Sequence, residues 1–180
     1  LTFNRFSHRY GDAEVTDYKL WLNSSLPIGS VELYGFGNLN NRQGESAGFY
    51  RLANDARNVP AIYPDGFLPL ITTDTHDRAI TVGLRGEHGG WRWDTSFGYG
   101  ENRTNFTIKN SLNRSFGAAS QTEFDSGGLR YNQTMGNLDV SRDLNLGIGL
   151  RTTLSAGAEY RRETYQLRPG EPTSYGNGPA

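Results

Sequence analysis

The chain has 180 residues, 18 basic and 19 acidic, and a formal net charge of −1, so no basic field points to nucleic acid and no acidic run to a cationic partner. Cysteine is absent, which excludes a disulfide framework and a thiolate metal site. A mean hydropathy of −0.65 and the lack of a long apolar run exclude a transmembrane helix, but not a membrane β-barrel, whose alternating strands average out as polar.

Gly stands at 23, nearly double the usual share of roughly 7%, and Tyr at 10 and Phe at 9 add an aromatic excess. In chain order, Leu1 to Asp12 is unpatterned. A first strand is expected from Ala13 to Leu26, with Tyr18, Leu20, Leu22 and Leu26 on one face and Asp17, Lys19, Trp21 and Asn23 on the other. Pro27-Ile28-Gly29 reads as a short turn. Ser30 to Asn40 is the second strand, with Val31, Leu33 and Leu39 sharing a side with Gly35 and Gly37, which weaken the pattern. Asn41 to Asp77 reads as a long connection, with Pro60, Pro64, Pro69 and a Tyr63-Pro64-Asp65-Gly66 turn signal.

The clearest pattern follows. Ile80, Val82 and Leu84 alternate with small or charged residues, and so do Trp91, Trp93, Thr95, Phe97 and Tyr99. His88-Gly89-Gly90 joins the two runs, and the Gly pair supplies the positive φ of a hairpin turn. Asn102 to Glu123 reads as a second long connection. Phe124 to Arg142 is a fifth strand whose apolar parity changes between Met135 and Leu138, which predicts a bulge there. Asp143 to Gly149 turns the chain. Leu150 to Arg161 is a sixth strand, with Leu150, Leu154 and Tyr160 on one side and Arg151 and Arg161 on the other. Arg162 to Ala180 is a third loop. Both ends read as cut, so a fragment is expected.

Connections that alternate short and long are the habit of outer-membrane barrels, with short periplasmic turns and long extracellular loops. The expected fold is therefore all-β: about six strands of an antiparallel up-and-down transmembrane β-barrel. The apolar parity would face lipid, with Trp91 and Trp93 in an interfacial girdle. The alternative is a soluble or extracellular all-β structural or adhesive module.

Three stretches then suggest a family: Gly44-Glu45-Ser46-Ala47-Gly48-Phe49-Tyr50-Arg51, Ala56-Arg57-Asn58-Val59-Pro60, and Ile62-Tyr63-Pro64-Asp65-Gly66-Phe67-Leu68-Pro69. Together they resemble a barrel loop of proteobacterial TonB-dependent outer-membrane receptors. The closing Gly157-Ala158-Glu159-Tyr160-Arg161-Arg162-Glu163 is similar to a barrel strand of the same family. The resemblance implies a 22-stranded barrel with an N-terminal plug and import of scarce nutrients, such as ferric siderophores or oligosaccharides, driven through TonB. It also implies outer-membrane lipid and lipopolysaccharide as surroundings. The plug and the TonB box are not in this sequence. Residues 1–180 are thus expected to form a partial barrel domain that contacts TonB only through the missing N-terminal part.

No enzyme activity and no cofactor are expected. Gly44 to Gly48 matches the G-x-S-x-G elbow, but a proline-containing irregular stretch follows where the elbow needs a helix. Asp74, His76 and Asp77 could be imagined as metal ligands, though such residues at a strand junction are usually solvated. The sharper candidates are ligand contacts in the first long loop: Phe49, Tyr50, Arg51, Arg57, Tyr63 and Phe67. They combine aromatic faces with guanidinium donors suited to anionic or hydroxyl-rich cargo.

Overall fold

The computed structural model describes residues 8–9, 11–145, 147 and 151–179. Among them, six long strands form one antiparallel sheet. In chain order these are β1 (Glu14–Ile28), β2 (Val31–Ala47), β5 (Leu70–His88), β6 (Trp91–Lys109), β7 (Phe124–Asn145) and β8 (Arg151–Arg168). Every long strand pairs with its sequence neighbour, so the sheet is a simple meander with β1 and β8 at its edges. A two-residue hairpin, β3 (Arg51–Leu52) with β4 (Gly66–Phe67), sits in the first long loop. The sheet does not close into a barrel among the described residues.

The two short turns arise where the sequence puts glycine. Gly29 at φ 64° leads a two-residue turn into β2, later than the expected Pro27-Ile28-Gly29, because Pro27 and Ile28 still pair with Glu32 and Val31. Gly89 and Gly90, at φ 60° and 79°, close β5 onto β6. Part of the turn between β7 and β8 lies outside the described residues, as do most of residues 1–12.

The strands outrun the expected boundaries. β2 continues to Ala47 and β5 begins at Leu70, so the long connection shrinks from residues 41–77 to residues 48–69. Likewise β6 reaches Lys109 and β8 reaches Arg168. In these outer halves both faces are polar, as in Asn40, Asn41, Arg42 and Gln43 opposite Asp77, His76, Thr75 and Asp74. The ladder continues on its backbone hydrogen bonds, while the alternation that marks a strand in the sequence has vanished. A 19-residue strand such as β6 spans about 65 Å at about 3.4 Å per residue.

The expected bulge is also elsewhere. Register between β6 and β7 runs unbroken through Met135 and Leu138 and breaks between Asn105 and Thr107, opposite Gly128 and Asp125. Gly127 lies in that break at φ 87°, and the position requires glycine because a Cβ there would collide with the Arg168 carbonyl. The parity change in β7 is a change of facing: Leu129, Tyr131 and Met135 lie on one side of the sheet, Leu138 and Val140 on the other.

Partners across a ladder share a face, so the register assigns two faces. Ile80 pairs with Tyr99, Val82 with Phe97, and Leu84 with both Thr95 and Leu33. The same face carries Leu20, Leu22 and Leu26 of β1, Val140 and Leu138 of β7, and Leu154 and Tyr160 of β8. The opposite face is mostly polar and cross-linked, although Trp21, Phe36 and Met135 also lie on it. Arg85 forks onto Glu32 at 3.1 and 2.9 Å, and Arg92 reaches Asp143 at 3.0 Å. Tyr34 of β2 passes over Gly83 of β5 and donates to Asp94 of β6 at 2.7 Å. The apolar face is not a core: among the described residues only Phe67 and Phe124 are buried hydrophobics, while Leu22 is 67% and Phe97 57% exposed.

Both borders of the apolar band slant across the sheet. At the short-turn end, β1–β2 closes level with Gly86 of β5, β5–β6 closes at His88, and β7–β8 pairs on to Asn145, three residues past Arg142, the partner of Trp91. The upper edge runs the same way: Tyr18 lies level with His76, Leu39 with Arg78, and Tyr160 with Val82. The turn ends step by about five residues over four strands. At about 3.4 Å per residue and about 4.8 Å per strand, the band crosses the strands at about 40° from the perpendicular.

Candidate functional site

The long loops gather at the end of the sheet opposite the short turns. Residues 48–69 form a self-packed unit. Its neck is closed by the Gly48 amide donating to the Pro69 carbonyl at 2.8 Å. Within it, β3 and β4 form a stem, and Gly66 at φ 91° allows the return because a Cβ there would strike the Arg51 carbonyl. Tyr63 stacks on Phe67 with ring centres 4.6 Å apart, and Phe67 is buried.

Asn58 holds the unit from inside. Its side-chain amide donates to the carbonyls of Ala53 at 3.0 Å and Tyr63 at 2.9 Å, and the residue is 6% exposed. Asn58→Ala leaves both carbonyls without that donor, and each lost bond to a buried group is worth about 1 kcal/mol or more. The expected outcome is a loop that becomes protease-sensitive and exchanges its amides faster, while the sheet stays protected; hydrogen-exchange mass spectrometry reads both.

The second and third loops join this unit. The Tyr63 hydroxyl donates to the Ser111 carbonyl at 3.2 Å, and the Asn110 amide to the Leu68 carbonyl at 2.6 Å. Asn113 caps the 3-10 turn Arg114–Ala119 and donates to the carbonyls of Thr173 and Gly176, both at 2.9 Å, around the short helix α1 (Pro172–Tyr175). Gln121 reaches Glu171 at 2.6 Å. Three loops far apart in sequence thus form one ledge.

On this ledge the six candidate contacts fall into two groups. Phe67 is buried, and Tyr63 gives one face to Phe67 and its hydroxyl to Ser111, so both build the loop. Burial raises the Tyr63 hydroxyl above its ordinary pKa. Tyr50 stacks on His8 at 5.0 Å and donates to the Asp65 carbonyl at 3.0 Å. Phe49 is 74% exposed. Arg51 stands half-exposed on the stem. Arg57 forks onto Asp55 at 2.9 and 2.8 Å while its side chain stays 64% exposed. The guanidinium and the Arg57 amide hold the Asp55 carboxyl below the usual carboxylate range. This lowered group supports loop order above the ordinary carboxylate value, and the support fades only as pH falls through the lowered one. Phe49, Arg51 and Arg57 therefore remain as outward-facing contacts, one aromatic and two cationic. The sequence reading missed Asn58 and Asn113, and also Tyr175, 67% exposed on the same ledge.

The other sequence candidates do not converge. Ser46 lies in regular β2, opposite Ile71, with a loop rather than a helix after it. His76 bonds Asp74 at 3.1 Å on one face, whereas Asp77 accepts from Asn38 and Asn102 on the other.

Compared with known proteins, the chain matches no family model, no curated protein and no solved structure.

Proposed function

We propose that the sheet is a section of outer-membrane β-barrel wall, in a TonB-dependent receptor that imports a scarce nutrient such as a ferric siderophore or an oligosaccharide. The observation that carries this reading is the slanted apolar band. On β6 it runs from Trp91 to Tyr99, nine residues, which fits the roughly 9 to 11 that a tilted strand needs to cross a bilayer. Its slant of about 40° agrees with the tilt of about 35–45° in such barrels. Along β5 the band from Ile80 to Gly86 places no charge on that face, while the opposite face carries Arg85, Asp94 and Arg92. Arg142 stacks over Trp91 at 5.6 Å beside the turn, where an interfacial girdle belongs. The loop ledge would then be extracellular. The receptor class rests on the resemblance of residues 44–51, 56–60 and 62–69 to a receptor loop, and cargo would first meet Phe49, Arg51 and Arg57. TonB would act through a plug and a TonB box outside these strands.

Detergent dependence tests the reading. The chain is expected to aggregate in detergent-free buffer, since the exposed row of Ile80, Val82, Phe97 and Leu22 and two open edges drive association. Light scattering with and without micelles reads the result. A monodisperse monomer that melts cooperatively in plain buffer would instead favour the soluble or adhesive module.

A further inference from the structure

We infer that the polar face carries a binding pocket for an uncharged oligosaccharide, walled by Trp21 and Phe36. This rests on the barrel-wall reading, which makes that face the lumen, and it chooses between the two cargo classes named there. On this mostly polar face Trp21 is 73% and Phe36 51% exposed. Trp21 pairs with Asn38 and Phe36 with Asn23, so the two rings stand diagonally across the β1–β2 ladder. Large apolar side chains set side by side in water mark a contact surface. The next strand supplies a low floor, with Ala79 opposite Asn38 and Thr81 opposite Phe36. The result is a pocket of about 430 Å³ with Asn23, Asn38 and Thr81 at its edge. An apolar wall with a few placed polar groups is the usual build of a small-molecule site.

The lining decides the ligand class. The Asn38 amide donates to Asp77 at 3.3 Å, and Asn102 donates to the other oxygen of the same carboxylate, also at 3.3 Å. Asp77 therefore fixes which way the Asn38 amide points and leaves its Oδ1 to accept from a ligand hydroxyl. The Asn23 amide and the Thr81 hydroxyl can each donate and accept, as sugar hydroxyls do. An aromatic ring covers the apolar C–H face of a sugar, and Trp gives a large rigid area at low entropy cost. Among the described residues, none that lines the pocket is charged. In the adjoining row Lys19 reaches Asp17 at 3.5 Å, beside the Asp77 carboxylate. Nothing there offsets the desolvation of an anionic ferric complex. The pocket lies about 30 Å below the ledge neck, counted from Asn38 to Ala47 at about 3.4 Å per residue. It is a second station on the lumen wall for cargo first met by Phe49, Arg51 and Arg57.

The test is saturation-transfer NMR of the full chain in deuterated phosphocholine micelles. The probes are maltohexaose, xylohexaose and mannohexaose, with hexagalacturonate as an anionic counterpart. At least one neutral hexasaccharide should receive saturation from the aromatic protons and bind more tightly than hexagalacturonate. Trp21→Ala should weaken that binding about tenfold, or about 1.4 kcal/mol, and Trp21→Phe should keep most of it. Trp21 is exposed, so neither change removes a buried contact. Asn38→Ala, which keeps both rings, should weaken binding as well. No transfer to any neutral hexasaccharide, binding of hexagalacturonate equal to theirs, or unchanged binding in both alanine variants would overturn the site and leave the rings as packing for a plug. Protease protection in vesicles is measured alongside. Protected protein without saccharide transfer sinks this site alone, whereas saccharide transfer to unprotected protein keeps the pocket and sinks the wall.

Discussion

Val82→Arg is expected to abolish insertion, while Thr81→Arg, one residue away, leaves it nearly intact. Val82 lies inside the apolar band, between Gly35 on β2 and Phe97 on β6, with no carboxylate on either cross-strand partner. An arginine near the bilayer midplane costs about 2 to 4 kcal/mol, or roughly thirty- to several-hundred-fold in a folding equilibrium. Thr81 points to the polar face beside Gly98, whose missing side chain leaves room for a longer neighbour. Folding yield into lipid vesicles, read by the gel shift of heated against unheated samples, separates the two variants. Equal yields would mean that the faces are assigned the wrong way round or that neither meets lipid.

Replacing Phe49–Leu68 by a short Gly/Ser linker should leave assembly unchanged and lower whole-cell cargo binding by at least tenfold. The neck survives, because Gly48 and Pro69 hold each other. Closure entropy grows only logarithmically with loop length, so shortening the loop shifts stability little. The replacement also removes the Tyr63 and Leu68 links to the second loop. A second variant, Phe49→Ala with Arg51→Ala, therefore keeps the ledge and its Arg57–Asp55 fork while stripping two outward contacts. Unchanged cargo binding in both variants would reduce the ledge to rim architecture.

How legible these features were varied with the environment each strand half meets. Alternation revealed the central hairpin and its faces because one face there is apolar from Ile80 to Leu84 and, apart from Thr95, from Trp91 to Phe97. It failed in the outer halves, where Asn40 to Gln43 and Thr72 to Asp77 are polar on both sides and only the β-branched threonines hinted at a strand. The parity change in β7 looked like a bulge because apolar residues were assumed to share one face. Beside the Arg78–Glu101 row, Tyr131 lies on the opposite face, and Met135 lies on that same opposite face within the band, across from Gly98. In the ledge, residue types were visible and roles were not. Asn58 and Asn113 matter through the particular carbonyls they meet, and those come from segments up to 63 residues away.

Tyr34 lying across Gly83 to reach Asp94 bears on how the sheet avoids misalignment. A meander of long ladders can slide by two residues and keep every side chain on its proper face, so facing alone does not forbid the error. After such a slip, the ring of Tyr34 would have to cross Thr81 or Arg85, which flank Gly83 on the same face, and its hydroxyl would lose Asp94. Gly83, the one glycine on this face of β5, lets the aromatic ring pass and thus acts as a keyway. It fixes β2, β5 and β6 against one another at a single alignment.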